Sequence, residues 1–246
     1  MKVCLAAPYC RPYLYDDYFD CKFMLESFYY WEEWELPIAK SRELFLLDSG
    51  AFTFMNNQKK EVDFEKYLDD YIAFINKNDF QYFFELDVDV VLGLKEVERF
   101  REKLEGETGK KCIPVWHKSR GKEYFLKMCR DYNFIAIGGI VSKEIKPPEY
   151  KYFPWFIKTA HDHGCRIHGL GFTNSRDLPK YHFDSVDSTN WVSGGRYGAL
   201  YRFNGRTMEL VNTTNRRQKE NITYKELDAW NFHEWLKFQK FAEKHL

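Results

Sequence analysis

Short apolar runs alternate with longer polar stretches at fairly even spacing along most of the chain. The runs KVCLAA (2–7), LFLLD (44–48), YFFELDV (82–88), CIPVW (112–116), FIAIG (134–138), RIHGLG (166–171) and FDSVD (183–187) predict seven strands. An eighth is expected either in the Tyr-rich N-terminal stretch or near 199–211. Between the runs lie helical patterns. VDFEKYLDDYIAFINKN (62–78) places Phe64, Tyr67, Leu68, Tyr71, Ile72 and Ile75 at three-to-four spacing, which is one face of a helix. LKEVERFREKLEGETG (94–109) ends on glycine, a usual helix stop. Residues 121–132 and 152–164 follow the same pattern. The tail from about Thr223 to Leu246 reads as one more helix, with Leu227, Trp230, Trp235, Leu236, Phe238 and Phe241 giving it an apolar side.

Strands alternating with helices predict a parallel sheet with crossover connections. The strand count and the length of 246 residues fit a single minimal α/β domain, a (β/α)8 TIM barrel over residues 1–246 with a C-terminal helix. An open Rossmann sheet fits less well, because no GxGxxG follows an early strand. In such a barrel the chemistry lies at the C-terminal ends of the strands. Asp48, Asp87, His117, Gly138, Gly139 and Asp187 all fall at or just past a strand end, so they are expected to ring one mouth.

Composition adds limits. Hydrophobic residues make up 44%, enough for a sizeable core, and the 37 basic residues balance the 37 acidic ones. A chain-wide electrostatic grip on nucleic acid is therefore not indicated, although a local patch is. Most of the abundant aromatic rings are read as core filling, with a minority available to stack on bases. The six cysteines show no CxC or CxxC spacing, and no apolar run is long enough for a signal peptide or a membrane span. We expect a cytoplasmic protein with reduced thiols and no membrane partner. His161 and His163 sit two apart in a helix and point in different directions, so no zinc site is expected.

Three stretches carry candidate chemistry. In FELDVDVV, Glu85, Asp87 and Asp89 alternate with aliphatic residues and share one face of a strand. A bland reading has Asp89 capping the next helix and Glu85 paired with a barrel Lys or Arg; the sharper one gives at least one of them a ligand. In LLDSGAF, Asp48 closes a strand, and an Asx-type turn is its bland reading. In FDSVDSTNWVSGGRYG, Asp184 and Asp187 are three apart and point to opposite sides; Asp187 lies nearer the strand end. Gly194, Gly195 and Gly198 permit close backbone approach. Arg196 can hold a phosphate or simply pair with an aspartate. Two carboxylates facing one sugar carbon from about 5–6 Å suit glycosyl transfer, one as nucleophile and one moving protons. Asp187 and Asp48 can form such a pair.

At these residues the chain resembles the tRNA-guanine transglycosylase family. The family's DSGG-F looks like Asp48-Ser49-Gly50-Ala51-Phe52 here, and its IGG motif looks like Ile137-Gly138-Gly139-Ile140 with Glu144 beyond. Its D-x-F-D and R-x-G motifs resemble Asp184-Ser185-Val186-Asp187 and Arg196-Tyr197-Gly198; Gly205 and Asn212 are similar to its hairpin. The matches run from about residue 44 to 212. The resemblance implies a (β/α)8 enzyme that exchanges a guanine for a 7-deazaguanine through a covalent sugar intermediate. It implies Asp187 as nucleophile, with Asp184 as second choice, and Asp48 as acid/base. Asp87, Gly138, Gly139 and Ile140 would bind the base. The family's base-reading Gln falls at Trp116, so Trp116 and His117 are expected to present a different edge. The family's zinc cysteines are missing from NTTNRRQKENITYKE, so no metal or other cofactor is expected. The short length and the missing zinc region make the chain similar to the DNA-directed branch, the DpdA-like 7-deazaguanine transglycosylases of phages and bacteria. DNA is accordingly favoured over tRNA as partner, with Arg196, Arg202, Arg216 and Arg217 as phosphate contacts. A homodimer is possible. The same exchange on tRNA, a hydrolytic nucleic-acid glycosylase and a catalytically silent binding barrel are the alternatives.

Overall fold

The computed structural model describes residues 1–51, 53, 62–211 and 222–246. Seven strands form one sheet: β1 (Lys2–Ala6), β2 (Phe23–Ser27), β3 (Leu44–Asp48), β4 (Val115–Trp116), β5 (Phe134–Ile137), β6 (Arg166–Gly169) and β7 (Ser185–Ser188). The order is β3-β2-β1-β7-β6-β5-β4 and the pairings are parallel. The eighth predicted run resolves both ways: the N-terminal stretch supplies β2, while 199–211 forms a separate antiparallel hairpin, β8 (Leu200–Phe203) and β9 (Met208–Val211).

The run predicted over 82–88 is much shorter as extended structure. It makes isolated parallel bridges only, Leu47 with Phe83 on one side and Phe84 with Ile113 on the other. The Phe84 amide donates to the Leu47 carbonyl at 2.9 Å, and the Ile113 amide to the Phe83 carbonyl at 2.8 Å. The next ladder position is interrupted because the Val115 amide donates to the Glu85 carboxylate instead, at 2.8 Å. The two edges of the curled sheet, β3 and the β4 segment, thus bond to one short piece of chain.

Alternation sorts the strand residues into two layers. Cys4, Ala6, Phe23, Leu25, Leu44, Leu46, Phe84, Ile113, Val115, Phe134 and Ala136 form one buried cluster, the inner face of the curled sheet. The intervening residues, such as Val3, Leu5, Met24, Phe45, Leu47, Trp116, Ile135 and Ile137, belong to the other cluster and pack with the helices. Those helices are α1 (Phe64–Asn78), α2 (Leu94–Thr108), α3 (Gly121–Asp131), α4 (Phe153–Asp162) and α5 (Tyr224–His245). Their ends follow local chemistry. Asp63 caps α1 by accepting the Lys66 amide, Gly109 ends α2 in the left-handed conformation, and Thr223 with Glu226 forms a capping box on α5. Buried Gln239 of α5 donates to the carbonyls of Val3 and Phe23 at 2.7 and 3.0 Å, which ties the C-terminal helix to β1 and β2.

Candidate active site

Asp48 continues the inward series Leu44, Leu46 to the last residue of β3. The predicted Asx turn is present: the Gly50 amide donates to Asp48 Oδ2 at 2.9 Å. Gly50 has φ +84°, and a Cβ there would lie 2.6 Å from Tyr29 Cβ, so the turn requires glycine. Burial pushes the Asp48 carboxyl up to about 6; the Gly50 amide opposes the rise, and the negative charges of Asp187 and Asp87 add to it. The charges of Asp187 and Asp87 thus both reach Asp48.

Asp187 pairs in register with inward-facing Cys4 and is itself 7% exposed. Its Oδ1 accepts from the Gly171 amide at 2.5 Å and contacts His168 Nε2 at 3.1 Å. His168 lies opposite Ser185 in the β6–β7 register, and its Nδ1 is 2.7 Å from the Ser185 hydroxyl. Nothing in the reading of RIHGLG singled out His168; the usable signal was a histidine at an inward position of an otherwise apolar strand. Asp184, the second-choice nucleophile, is displaced from the site. It precedes β7 at the opposite end of the sheet, where it accepts from the Ile167 amide at 2.8 Å and contacts His161 Nε2 at 2.9 Å.

The acids of FELDVDVV are gathered by one guanidinium. Arg120 places NH1 2.8 Å from Glu85, NH2 2.6 Å from Asp87 and Nε 3.1 Å from Asp89. Arg101 adds a second cation 2.7 Å from Glu85. The expectation of a basic partner for Glu85 holds, whereas Asp89 makes no side-chain cap on the short helix it opens. Asp87 also contacts His117 Nε2 at 2.5 Å, and His117 Nδ1 lies 2.9 Å from Glu144. Burial alone would lower the His117 ring, but the hydrogen bond and charge of Asp87, with Glu144 beyond, lift it to about 9. The ring is a cation at neutral pH, held between two carboxylates. Asp87, Asp89 and His117 offer ligand atoms within 4.8 Å of one another. Arg120 pairs with both aspartates of this group.

Gly138 and Gly139 make this arrangement possible. A Cβ on Gly138 would meet the His117 ring at 2.8 Å; one on Gly139, whose φ is +79°, would meet Glu144 Oε2 at 2.7 Å. Ile140 follows them, nearly buried. Trp116 corrects an expectation. It faces outward from β4, packs on Phe125 and Phe156, and donates Nε1–H to the Gly121 carbonyl at 2.8 Å. The alternation that turns Val115 inward forces Trp116 to the helix layer, so it presents nothing to a ligand at the mouth.

The open stretch after Asp187 also differs from its reading. Gly194 and Gly195 admit α5: the Gly195 amide donates to buried Asp228 at 2.6 Å, and Asp228 also pairs with Arg11 and Tyr13. Trp191 is buried and donates to the Ala6 carbonyl at 2.7 Å, so it is not available for stacking. Tyr197 is 82% exposed, and exposed Arg196 lies within electrostatic reach of Tyr9 and Cys10. Tyr9 stacks on Tyr30 at 4.6 Å, with Tyr29 edge-on to Tyr30, and Tyr29 in turn lies against the Asp48 turn. Arg202 sits on β8 and pairs with Glu209 at 3.4 Å, away from these residues in the fold. Arg216 and Arg217 lie outside the described residues. Among the described residues no helix is long and apolar enough to cross a membrane.

No protein-family model matches the sequence, and no curated protein matches it. Among solved structures the chain is similar to the carboxyl transferase domain of Rhizobium etli pyruvate carboxylase with 3-bromopyruvate. That match has 13% identity and a TM-score of 0.49, covering 98% of this chain and 48% of that one. The same domain with 3-hydroxypyruvate gives 14% identity and a TM-score of 0.43, covering 85% and 37%. The chain spans about half the length of the structures it matches. Likeness at this level assigns neither activity nor ligand.

Proposed function

We propose that the protein is a base-exchanging glycosyltransferase that replaces guanine in DNA with a 7-deazaguanine. On this reading the seven strands and the bridging segment around Phe83 and Phe84 are the eight staves of a (β/α)8 barrel. The observation that carries it is the meeting of Asp48, Asp87 and Asp187, with Asp48 and Asp187 in unlike surroundings. Two carboxylates kept apart in environment are what double displacement requires.

In the first half-reaction Asp187 Oδ2 attacks C1′ of the target nucleotide. The C1′–N9 bond breaks, its electron pair leaves with the guanine, and Asp48 gives that base a proton. The incoming 7-deazaguanine returns its N9 proton to Asp48 and attacks C1′, which releases Asp187. Asp48, lifted to about 6, can both hold and give up a proton near neutrality. Asp87 retains lone pairs for the base edge, while His117 and Glu144 border that position. Gly138, Gly139 and Ile140 line it with backbone. The step as written needs no metal or cofactor. Arg196 and the tyrosines around the Asp48 turn suit a strand whose target base is flipped or unpaired.

The test is an exchange assay with labelled guanine on double-stranded DNA, single-stranded DNA and bulk tRNA, with Asp187→Asn as control. Label in DNA that depends on Asp187 supports the reading. Label in tRNA alone moves the substrate to tRNA. Release of free base without incorporation replaces transfer by hydrolysis, and no reaction with any polymer rejects the proposal.

A further inference from the structure

The inner face of the sheet is largely apolar. Ser185, His168 and Asp187 form a continuous polar chain there, with Ser185 1% exposed and His168 wholly buried. A buried imidazole in an aliphatic interior is costly unless both nitrogens are satisfied. Here both are, by Ser185 on Nδ1 and Asp187 on Nε2. An ionised carboxylate only accepts, so Nε2 carries the hydrogen; in the neutral ring Nδ1 then accepts from the Ser185 hydroxyl. The Gly171 amide lies on the same Asp187 oxygen, Oδ1. Two donors on Oδ1 leave Oδ2 without a recorded hydrogen bond among the described residues, on a side chain that keeps some exposure.

A serine-nucleophile reading of the same three residues does not fit. Ser185 begins β7, beneath Asp187, and is sealed in the interior, whereas Asp187 lies two residues nearer the mouth. The chain runs inward from the reactive group as a support.

We infer that His168, held by Ser185, is a positioning residue that fixes Asp187 Oδ1 and so directs Oδ2 at the sugar carbon. This inference rests on the transglycosylase reading for its kinetic consequence, but the His168–Asp187 contact can be tested without it.

Ring 15N spectra of uniformly labelled full-length protein should show His168 protonated at Nε2, and the Nε2–H signal should move in Asp187→Ala. In the exchange assay His168→Met, which suits an apolar interior, should lower kcat about 10- to 100-fold with KM for the polymer unchanged. His168→Gln places an amide donor near the Nε2 position and should recover most of the lost rate. Ser185→Ala should cost a smaller factor of about 3 to 10. A ring protonated at Nδ1 alone, or a folded His168→Met with wild-type kcat, would overturn the inference. A kcat loss in His168→Met that Gln does not restore would reduce His168 to packing and overturn it too. If the ring signature is present but the wild type exchanges no base, the transglycosylase reading fails while the His168–Asp187 contact stands.

Discussion

Two acidic groups lie near one another at the end of the sheet, and they differ in what surrounds them. Glu85, Asp87 and Asp89 meet Arg120, Arg101 and cationic His117. Asp48 and Asp187 meet backbone amides and His168, whose other nitrogen is bonded to Ser185. The first group is close to charge-balanced and locked by geometry. The second has no arginine or lysine partner among the described residues, and burial first, then the charges of Asp187 and Asp87, lifts the Asp48 carboxyl. Acidity alone therefore does not mark a reactive site. A carboxylate matched by a guanidinium is fixed in place, and one left without a cation at a strand end is available for proton transfer or attack.

The contrast breaks most sharply by mutation. Asp187→Asn should lower base exchange by about 10,000-fold or more while melting near the wild-type temperature; single-turnover kinetics and calorimetry on one preparation check both halves. Asp48→Asn should cost about 100- to 10,000-fold in turnover with polymer binding kept. In the wild type the half-reaction that needs protonated Asp48 should slow as pH rises through about 6, and this limb should vanish in the Asn variant. In the balanced cluster the order of effects reverses. Arg120→Met strands three carboxylates and should cost about 3–5 kcal/mol of stability, read by denaturant unfolding, because a buried pair is broken on one side only.

A smaller effect sharpens the comparison from outside both groups. Buried Glu26 and Glu35 lie together, and burial lifts Glu35 from 4.5 to about 7. The folded chain keeps a proton there that the unfolded chain releases. Stability from Glu35 is therefore full below about 4.5 and is lost as pH rises through about 7. Glu35→Gln should flatten that decline, by about 1–3 kcal/mol at pH 8; an unchanged pH–melting curve would refute the shared-proton pair.

Much of the fold was legible because it is periodic. The five helix spans agree with their patterns to within a residue or two, and β1, β3, β5 and β6 were read from their apolar runs. The 82–88 run was overread. Its alternation is real, but the Glu85 side chain takes the Val115 amide and ends the ladder. At the site, Asp48, Asp87, His117 and Asp187 were marked by their places at strand ends. Trp116 was misplaced because a motif position was weighed above the inward–outward parity of Val115 and Trp116. Asp184 stood as second choice because the family's motif, aligned on Phe183-Asp184-Ser185 alone, falls on it.

By itself the sequence determined the order of elements, the two faces of each strand and the acids that end them, since these follow from local periodicity and turn chemistry. Only the tertiary structure decided which acids are neutralised. Arg120 reaches Glu85 across 35 residues of chain, Gly171 reaches Asp187 across 16, and Asp228 is claimed by Arg11 from 217 residues away. Charge balance depends on distance in space, and in a curled sheet spatial neighbours are set by packing.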